Sequence, residues 1–144
     1  MSSDNKILAR RFFQSVWNER QLAVLDELLT PASVCQSEAG VVRGKDEFLD
    51  QVYRPFLAAF PDLQIEIEEL IGQGEIVAVR WMCRGTHTGD AFGLTPTGRR
   101  VSFRGTSWIR IQNGKMMEGF ECWNLGGLMQ VLSGGPPTAA MSVT

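Results

Sequence analysis

Three polar residues lie within apolar strand patterns, where their side chains could transfer protons or bind an anionic oxygen. His87 is the single histidine and ends an apolar run in the stretch RGTHTGDAFGLTPTGRRVSF. Glu118 and Asn124 alternate with apolar residues in KMMEGFECWN. An imidazole titrates near neutral pH, a carboxylate can serve as a base, and an amide can donate a hydrogen bond to an oxyanion. His87, Glu118 and Asn124 are therefore the predicted catalytic residues.

Each of these residues also has a structural alternative. His87 could be a hinge residue of the glycine-rich loop that follows it, or a metal ligand. Glu118 could form an ion pair with a buried arginine such as Arg104, because buried charges are normally paired. A metal site needs three or four converging ligands, and one histidine with three scattered cysteines does not supply them. We therefore expect no metal site and no cofactor.

Two strands must position the three polar residues. On residues 76–88 the two-residue period of a strand places His87 on the same face as Val77, Val79, Trp81 and Cys83. The opposite face mixes apolar and cationic groups, namely Ile76, Ala78, Arg80, Met82 and Arg84. On the last strand, the face of Glu118 and Asn124 also carries Met116, Phe120 and Cys122. We expect the faces with His87 and Glu118 to point inward.

Helical periodicity occupies the first part of the chain and strand periodicity the second. The apolar spacing predicts helices over 5–19, 22–29 and 45–60, the last with a kink at Pro55. A weak strand pair is predicted within 34–42. Four further strands then form an antiparallel meander over 63–71, 76–87, 99–112 and 115–124. A bulge is expected at Glu69-Leu70 and a tight hairpin turn at Asn113-Gly114.

These elements predict an α+β fold in which N-terminal helices pack on a strongly curved, mainly antiparallel sheet. The sheet should form a cone-shaped barrel with an internal pocket. Residues 125–132 should add a closing helical turn, which makes residues 1–132 a single domain. Residues 133–144 have no apolar periodicity and are predicted to be a disordered tail.

Composition excludes several partners. The chain has 144 residues and a net charge of −2, which gives no positive footprint for nucleic acid or for anionic lipid. No apolar run approaches the ~18 residues that a membrane span requires, and the N-terminus has no apolar core of a signal peptide. We therefore expect a cytoplasmic protein without nucleic-acid or membrane partners.

Several motifs give the sequence a family likeness. The segments WNERQLAVLDELL, AFPDL, GTHTGDAFGLTPTGRRVSF, NGKMMEGFECWN and LGGLMQVL occur in the order found in the SnoaL-like polyketide cyclases. The chain thus resembles that family, which belongs to the nuclear transport factor 2-like superfamily of α+β cones. The resemblance covers roughly residues 5–132. It implies a cofactor-free cyclase or a related hydroxylase that acts on an apolar, polycyclic or aromatic keto compound.

The resemblance also assigns roles to residues. His87 matches the histidine of the GTH motif, and Asn124 stands where cyclases carry an aspartate that acts as general acid/base. Asparagine cannot take that proton, so Asn124 would bind an enolate or phenolate oxygen while His87 moves the proton. The segment CQS at 35–37 lacks the histidine that many family members have there. The substrate-binding walls are predicted to be aromatic: Phe13, Trp17, Tyr53, Phe56, Trp81, Phe103 and Phe120.

A second interpretation keeps the fold but not the catalysis. The same cone could bind a small apolar molecule without chemistry, or serve only as a dimerising scaffold, and asparagine at 124 favours this alternative. In the same way, Tyr53 could be a core residue rather than a ligand contact. A cavity of several hundred Å³ with His87 and Asn124 in its wall would favour an enzyme or binder. A cone filled by its own tryptophans would favour a scaffold.

The first prediction concerns oligomeric state. The strand face with Arg80, Met82 and Arg84, together with Trp108 and Arg110 on the neighbouring strand, is too apolar for a solvent-facing surface. We expect it to join two copies in a homodimer, since two-fold dimers are the commonest assemblies. Light scattering at micromolar concentration should give a particle of twice the 16.0 kDa chain mass. A particle of one chain mass would contradict the prediction.

Overall fold

The computed structural model describes residues 2–37, 39–90, 92–134 and 141–143. The helices of this part are α1 (Ser2–Arg11), α2 (Val24–Leu28), α3 (Gly44–Phe48), α4 (Arg54–Ala59) and α5 (Leu125–Leu132). Its strands are β1 (Val34–Ser37), β2 (Gly40–Arg43), β3 (Gln64–Gln73), β4 (Ile76–Thr86), β5 (Arg100–Gln112), β6 (Lys115–Trp123) and β7 (Met141–Val143). None of the helices in these ranges has the length and apolar character needed to cross a membrane.

The strands form one mixed sheet in the order β2-β1-β6-β5-β4-β3, and β7 pairs with β5 beyond the end of β6. Neighbours are antiparallel except β1 and β6, which run parallel. The predicted α+β class with helices packed on a mainly antiparallel sheet is confirmed. The sheet is not closed, because β2 and β3 form its two edges. Helix α1 packs on β3 and β4 beside one of these edges.

Two of the predicted helices contain a wide turn. Helix α1 continues into a π-helical segment at Phe12–Asn18, and α3 continues into one at Leu49–Tyr53. The second segment leads directly into α4, whose first turn contains Pro55. A proline ring cannot donate to the preceding turn of a helix, so the wider turn before Pro55 takes the place of the predicted kink.

The hairpin between β5 and β6 follows the sequence prediction. Asn113 and Gly114 have φ angles of 52° and 76°, as a type I′ turn requires at both central positions. The bulge expected in β3 is present one residue earlier than predicted, between Ile67 and Glu69. The extra residue there is Glu68, whose carboxylate binds Arg104 across the sheet, with the Arg104 Nε to Glu68 Oε1 distance at 3.0 Å.

The C-terminal tail departs from its prediction. Residues Met141–Val143 form β7 and pair with Val101–Phe103 of β5, so disorder from residue 133 onward is wrong for this segment. Strand β5 extends past the end of β6 at this point, and a short extended segment needs no helical periodicity to pair with it. Residues 135–140 and 144 of the predicted tail lie outside the described residues.

The N-terminal helix, which consists of α1 and the π-helical segment Phe12–Asn18, is hydrogen-bonded to strand β3 and its turn at two separate points. The Asn5 Nδ2 group donates to the Gly74 carbonyl at 3.3 Å, at the turn that ends β3. At the other end of the helix, Asn18 Nδ2 donates to the Ile65 carbonyl and Asn18 Oδ1 accepts from the Ile65 amide, both at 2.7 Å. Arg20 adds a hydrogen bond to the Leu63 carbonyl at 2.8 Å. Asn18 therefore pairs with the edge strand as another strand would, which protects that edge.

The double hydrogen bond of Asn18 gives a stability prediction. Asn18→Ala should lower the free energy of unfolding by about 1–3 kcal/mol, because it leaves a backbone donor and acceptor of Ile65 without partners. Arg10→Ala is the control on the same helix, since Arg10 is exposed and should change stability by less than about 0.5 kcal/mol. Urea denaturation followed by circular dichroism measures both. Equal stabilities for the two variants would mean that Asn18 contributes nothing at this edge.

Candidate functional site

A bulge in β6 decides which side chains of that strand point inward. Ile111 of β5 lies opposite Met116, but its neighbour Arg110 lies opposite Glu118, so Met117 is an extra residue. A bulge of one residue shifts every later side chain to the other face. Met116 is buried, and beyond the bulge the inward residues are Gly119, Glu121 and Trp123.

The sequence prediction for β6 therefore has to be corrected. Phe120 was expected in the wall of the pocket, but its side chain is 55% exposed on the outer face, opposite the equally exposed Trp108. Glu118 borders a cavity, yet its carboxylate turns outward and accepts from Arg110 Nε at 3.1 Å. Glu118 therefore forms an ion pair with an arginine, as the structural alternative expected, but the arginine is Arg110 and not Arg104.

Two small cavities lie between the inner face of the sheet and the helices. Cavity A has a volume of about 50 Å³ and cavity B about 40 Å³. The side of cavity A formed by the helices and β5 includes Phe12, Phe13, Phe48, Ser107 and Ile109. The walls of cavity B are mainly aromatic, with Phe13, Trp17, Phe56, Trp81, Phe103 and Trp123. Five of the seven predicted aromatic wall residues thus border a cavity.

Glu121 and Phe13 belong to the walls of both cavities, so they lie at the junction between them. Glu121 Oε1 lies 3.5 Å from the Ser107 hydroxyl, and that hydroxyl accepts from Trp81 Nε1 at 3.0 Å. Because the indole N–H can only donate, the Ser107 proton is free to point at Glu121. The hydrogen bonds from Trp81 to Ser107 and from Ser107 to Glu121 thus involve Oε1 of Glu121, and Oε2 is available to a ligand.

A glycine allows the aromatic wall to pack on the sheet. Gly105 lies opposite Trp81 of β4 and opposite Trp123 of β6. A Cβ atom at this position would lie 2.4 Å from the Trp81 ring and 2.7 Å from the Trp123 Cβ. The indoles can therefore cover the strand backbone only because position 105 has no side chain. Phe103 then stacks on Trp123, with ring centroids 5.0 Å apart.

The environment of Glu121 changes the proton affinity of its carboxyl. Burial among apolar groups raises the pKa of the Glu121 carboxyl above its usual 4.5, and the Ser107 hydrogen bond opposes part of that rise. Burial also raises the pKa of the Cys35 thiol to about 12, with the nearby Glu121 adding to the effect, and that of the Cys83 thiol to about 12. Both thiols therefore stay protonated at neutral pH, and Glu118 is held by Arg110.

His87 lies outside the walls of cavities A and B. The ring is fully buried, and Nδ1 accepts from the Thr97 backbone N–H at 3.3 Å and lies 3.0 Å from the Thr97 hydroxyl. Because Nδ1 is an acceptor, the neutral ring carries its proton on Nε2, which has no hydrogen-bond partner among the described residues. Burial lowers the pKa of His87. The His87 ring thus connects the start of the loop after β4 to Thr97 near the end of that loop. Proton transfer by His87 remains a prediction.

Residues 88, 89 and 92 of the loop after His87 contact α4. The Gly89 N–H donates to the Ala59 carbonyl at 3.2 Å, and a Cβ at position 89 would lie 1.5 Å from the Ala58 carbonyl oxygen. Farther along the loop, Phe92 packs on Phe56, with ring centroids 5.1 Å apart. The loop thereby covers the outer side of the aromatic wall of cavity B.

Asn124 and Tyr53 have structural roles. The exposed Asn124 is the N-cap of α5, where its Oδ1 accepts from the Gly127 N–H at 2.8 Å. It borders neither inner cavity, so the structure does not bring it together with His87 or Glu121 at these sites. Tyr53 is buried beside Trp17 and donates its hydroxyl proton to the Val16 carbonyl at 2.9 Å. Tyr53 therefore corresponds to the core alternative.

The sequence analysis missed Glu121, Ser107 and Trp123 as site residues. One local signal could have indicated Glu121, since the adjacent apolar residues Met116 and Met117 break the alternation of β6. Counting the strand backward from Trp123 places Glu121 and the large indole on one face. For metal binding, no group of three or more His, Cys, Asp or Glu side chains in the described part of the chain could hold an ion.

The fold is that of the α+β cones. The family model for the SnoaL-like polyketide cyclases matches residues 7–132. The chain therefore belongs to the SnoaL-like polyketide cyclase family, as its motifs predicted. The comparison with curated proteins gives no match.

Solved structures of similar proteins agree with this assignment. A proposed SnoaL-like polyketide cyclase from Jannaschia sp. CCS1 has a TM-score of 0.85 and 21% identity, over 94% of this chain and 95% of that one. AclR from Streptomyces galilaeus, a proposed hydroxylase, has a TM-score of 0.82 and 29% identity, over 96% and 86% of the two chains. IdmH from Streptomyces antibioticus, a proposed polyketide cyclase, has a TM-score of 0.75 and 26% identity, over 88% and 97%.

The raised pKa of Glu121 predicts a pH effect on stability. The folded state holds the Glu121 proton more tightly than the unfolded state, whose pKa is near 4.5. The contribution of Glu121 to the free energy of unfolding therefore falls as pH rises above 4.5, until the folded-state pKa is passed. Glu121→Gln removes this fall, so the variant should gain stability relative to wild type as the pH rises.

Urea denaturation of both proteins from about pH 4 to about pH 8 measures that difference. Glu118→Gln is the control, because Glu118 is exposed and its loss should produce no such rising difference. A Glu121→Gln minus wild-type difference that stays flat with pH would show that Glu121 titrates as it does in the unfolded chain.

Proposed function

We propose that this SnoaL-like protein is a cofactor-independent enzyme that transfers protons on an apolar, aromatic keto compound, with Glu121 as the acid/base residue. The observation that carries the proposal is the position of Glu121. It is a carboxyl at the junction of two apolar cavities, with its pKa raised by burial and one oxygen directed toward Ser107. A carboxyl tuned upward toward neutral pH is a stronger base and a usable acid at the pH of the cell.

The proposed chemistry is an intramolecular aldol closure. The Glu121 carboxylate removes a proton from the carbon next to a keto group, which leaves an enolate. The enolate carbon attacks a second carbonyl carbon of the same substrate, and a carbon–carbon bond forms while that carbonyl becomes an alkoxide. The alkoxide then takes the proton back from Glu121. The closure involves no net oxidation or reduction of the substrate, so the reaction needs no electron acceptor.

The walls of cavity B support an aromatic, apolar substrate class. Six ring-bearing residues face this cavity, and Glu121 is the ionisable carboxyl that borders it. Aromatic walls bind flat apolar rings, and a few polar groups then fix their orientation. The descriptions of IdmH as a proposed polyketide cyclase and of AclR as a proposed hydroxylase are consistent with such ligands.

A second candidate is a non-catalytic binding or scaffold protein, and the cavity volumes favour it. At about 50 and 40 Å³, the cavities are well below the ~300–1,000 Å³ typical of ligand pockets. Trp17, Trp81 and Trp123 fill the interior, and Asn124 serves as a helix cap. Enzyme function on a polycyclic substrate thus requires the interior to open, whereas a scaffold requires no opening.

The homodimer remains part of the proposal, with the outer face of the sheet as its interface. Trp108 and Phe120 are 54% and 55% exposed and lie side by side in register. The surrounding arginines are paired with glutamates, namely Arg80 Nη1 with Glu69 Oε2 at 3.4 Å and Arg110 with Glu118. Paired charges around two exposed aromatic rings support a contact between two copies at this face.

Proton exchange on a simple bicyclic ketone tests the assignment of Glu121. Incubation with 2-tetralone in heavy water should exchange the protons next to its keto group faster than buffer alone, as followed by proton NMR. Glu121→Gln should lower the enzyme-dependent rate by about 10²–10⁴-fold, because the amide cannot accept the proton. Ser107→Ala should shift the pH at which the rate reaches half its maximum upward, since the hydrogen bond lowers the pKa of Glu121.

Three outcomes would decide against Glu121 as the acid/base residue. Loss of exchange in Glu118→Gln but not in Glu121→Gln would move the base to the residue predicted from the sequence. Loss only in His87→Gln would assign proton transfer to the histidine. Binding of 2-tetralone without any exchange above buffer, observed by tryptophan fluorescence, would establish the non-catalytic alternative.

A further inference from the structure

We propose that Phe13 is the gate between solvent and the Glu121 site, and that ligands enter through the seam between the N-terminal helix and strand β3. This inference rests on the proposed function for the identity of the inner site. It adds the entrance, and a residue that determines which ligands pass through it. Three observations carry it: an open cleft, two fastening points and a shared wall.

A cleft of about 660 Å³ lies in this seam, where the N-terminal helix passes beside the edge strand. The polar groups of the cleft are contributed by Arg10, Gln14, Gln64, Glu66 and Arg84. Its apolar residues are Phe13, Ile65 and Ile67. The cleft volume falls in the range of ligand pockets, in contrast to the two inner cavities. A polar rim above an apolar floor is the arrangement expected at the mouth of a binding site.

The cleft begins beside the hydrogen bonds of Asn18 to Ile65 and extends along the helix toward Asn5, which binds the turn after β3. Asn5 binds the Gly74 carbonyl at one end, and Asn18 binds both backbone groups of Ile65 at the other. The helix is therefore held at both ends while its middle, around Arg10 and Phe13, spans the opening. Side-chain motion in the middle can open a passage there without detaching the helix from the sheet.

Phe13 forms the partition between the cleft and the interior. Its side chain borders the cleft, cavity A and cavity B, and it is only 3% exposed. Ile65 is also common to the cleft and cavity B. Glu121 lies directly behind the partition, because it borders both cavities that Phe13 separates. Rotation of one phenyl ring would therefore join the cleft to both cavities at the proposed acid/base residue.

The local backbone and the cavity volumes agree with a gate at this position. Phe13 is the second residue of the π-helical segment Phe12–Asn18, and such wide turns are frequent at functional sites. The separate cavities of about 50 and 40 Å³ become one space with the cleft once the ring moves. The gate thus admits flat aromatic ligands that neither closed cavity could hold. The size of the side chain at position 13 determines which of these ligands enter.

Uptake of a neutral fluorescent probe tests the gate. N-phenyl-1-naphthylamine brightens in apolar surroundings, and stopped-flow mixing gives its association rate with each variant. Phe13→Ala and the milder Phe13→Leu should take up the probe at least about tenfold faster than wild type, since a smaller side chain leaves the passage open. The matched control is Phe12→Ala. Phe12 is buried on the same segment and borders cavity A, but it borders neither cavity B nor the cleft.

The outcomes separate the gate from a general loosening of the core. Faster uptake in the Phe13 variants with a wild-type rate in Phe12→Ala supports the gate. Equal acceleration in Phe12→Ala, or no acceleration in either Phe13 variant, overturns it. If Phe13→Ala does not fold, Phe13→Leu decides the question alone.

The same measurement distinguishes the gate from the proposed function. Probe uptake needs no proton transfer, so the acceleration caused by Phe13→Leu does not depend on which residue acts as acid or base. If the Phe13 variants take up the probe faster but the protein exchanges no ketone protons, the acid/base role is refuted and the entrance is retained. If the wild-type protein exchanges the ketone protons and neither Phe13 variant changes the rate of probe uptake, the entrance is refuted and the role of Glu121 is retained.

Discussion

The structure depends on keeping one carboxyl inside an aromatic interior. An unpaired charge in such surroundings costs several kcal/mol, so a carboxyl survives there only if it is partly protonated or accepts hydrogen bonds. Glu121 meets the condition through its raised pKa and through Ser107, whose hydroxyl is in turn oriented by the Trp81 indole. Gly105 lets that indole lie against the sheet. Four strand positions on β4, β5 and β6 are thus explained by the requirements of one side chain.

Local sequence patterns predicted the helices, the antiparallel strands and the hairpin at Asn113-Gly114, because each depends on residues close together in the chain. The parallel pairing of β1 with β6 and the return of β7 to β5 were not predicted. Both join segments far apart in sequence, and pairing across such distances leaves no periodic signature in either strand. The open edges of the sheet could not be predicted for the same reason, since closure depends on the whole sheet and not on any single strand.

The candidate site was predicted unevenly for a physical reason. Trp17, Trp81 and Phe103 were assigned to the interior correctly, because large aromatic side chains on an apolar stripe are buried whatever their chemical role. The polar residues depended on strict alternation along β6, and one bulge at Met117 exchanged Glu118 for Glu121. A single extra residue changes the face of every following side chain, so polar site residues on a bulged strand cannot be placed by period alone.

Access and stability make opposite demands on the same seam. A well-packed interior stabilises the fold, yet closed cavities of about 50 and 40 Å³ admit no polycyclic ligand. The chain separates the two demands along one helix. Asn5 and Asn18 bind the backbone of β3 and its turn at the ends of the seam, where hydrogen bonds fix the helix. Between them, Phe13 contributes packing alone and can change rotamer without breaking a backbone hydrogen bond. Rigidity at the ends of the helix is therefore compatible with motion at its middle, directly in front of Glu121.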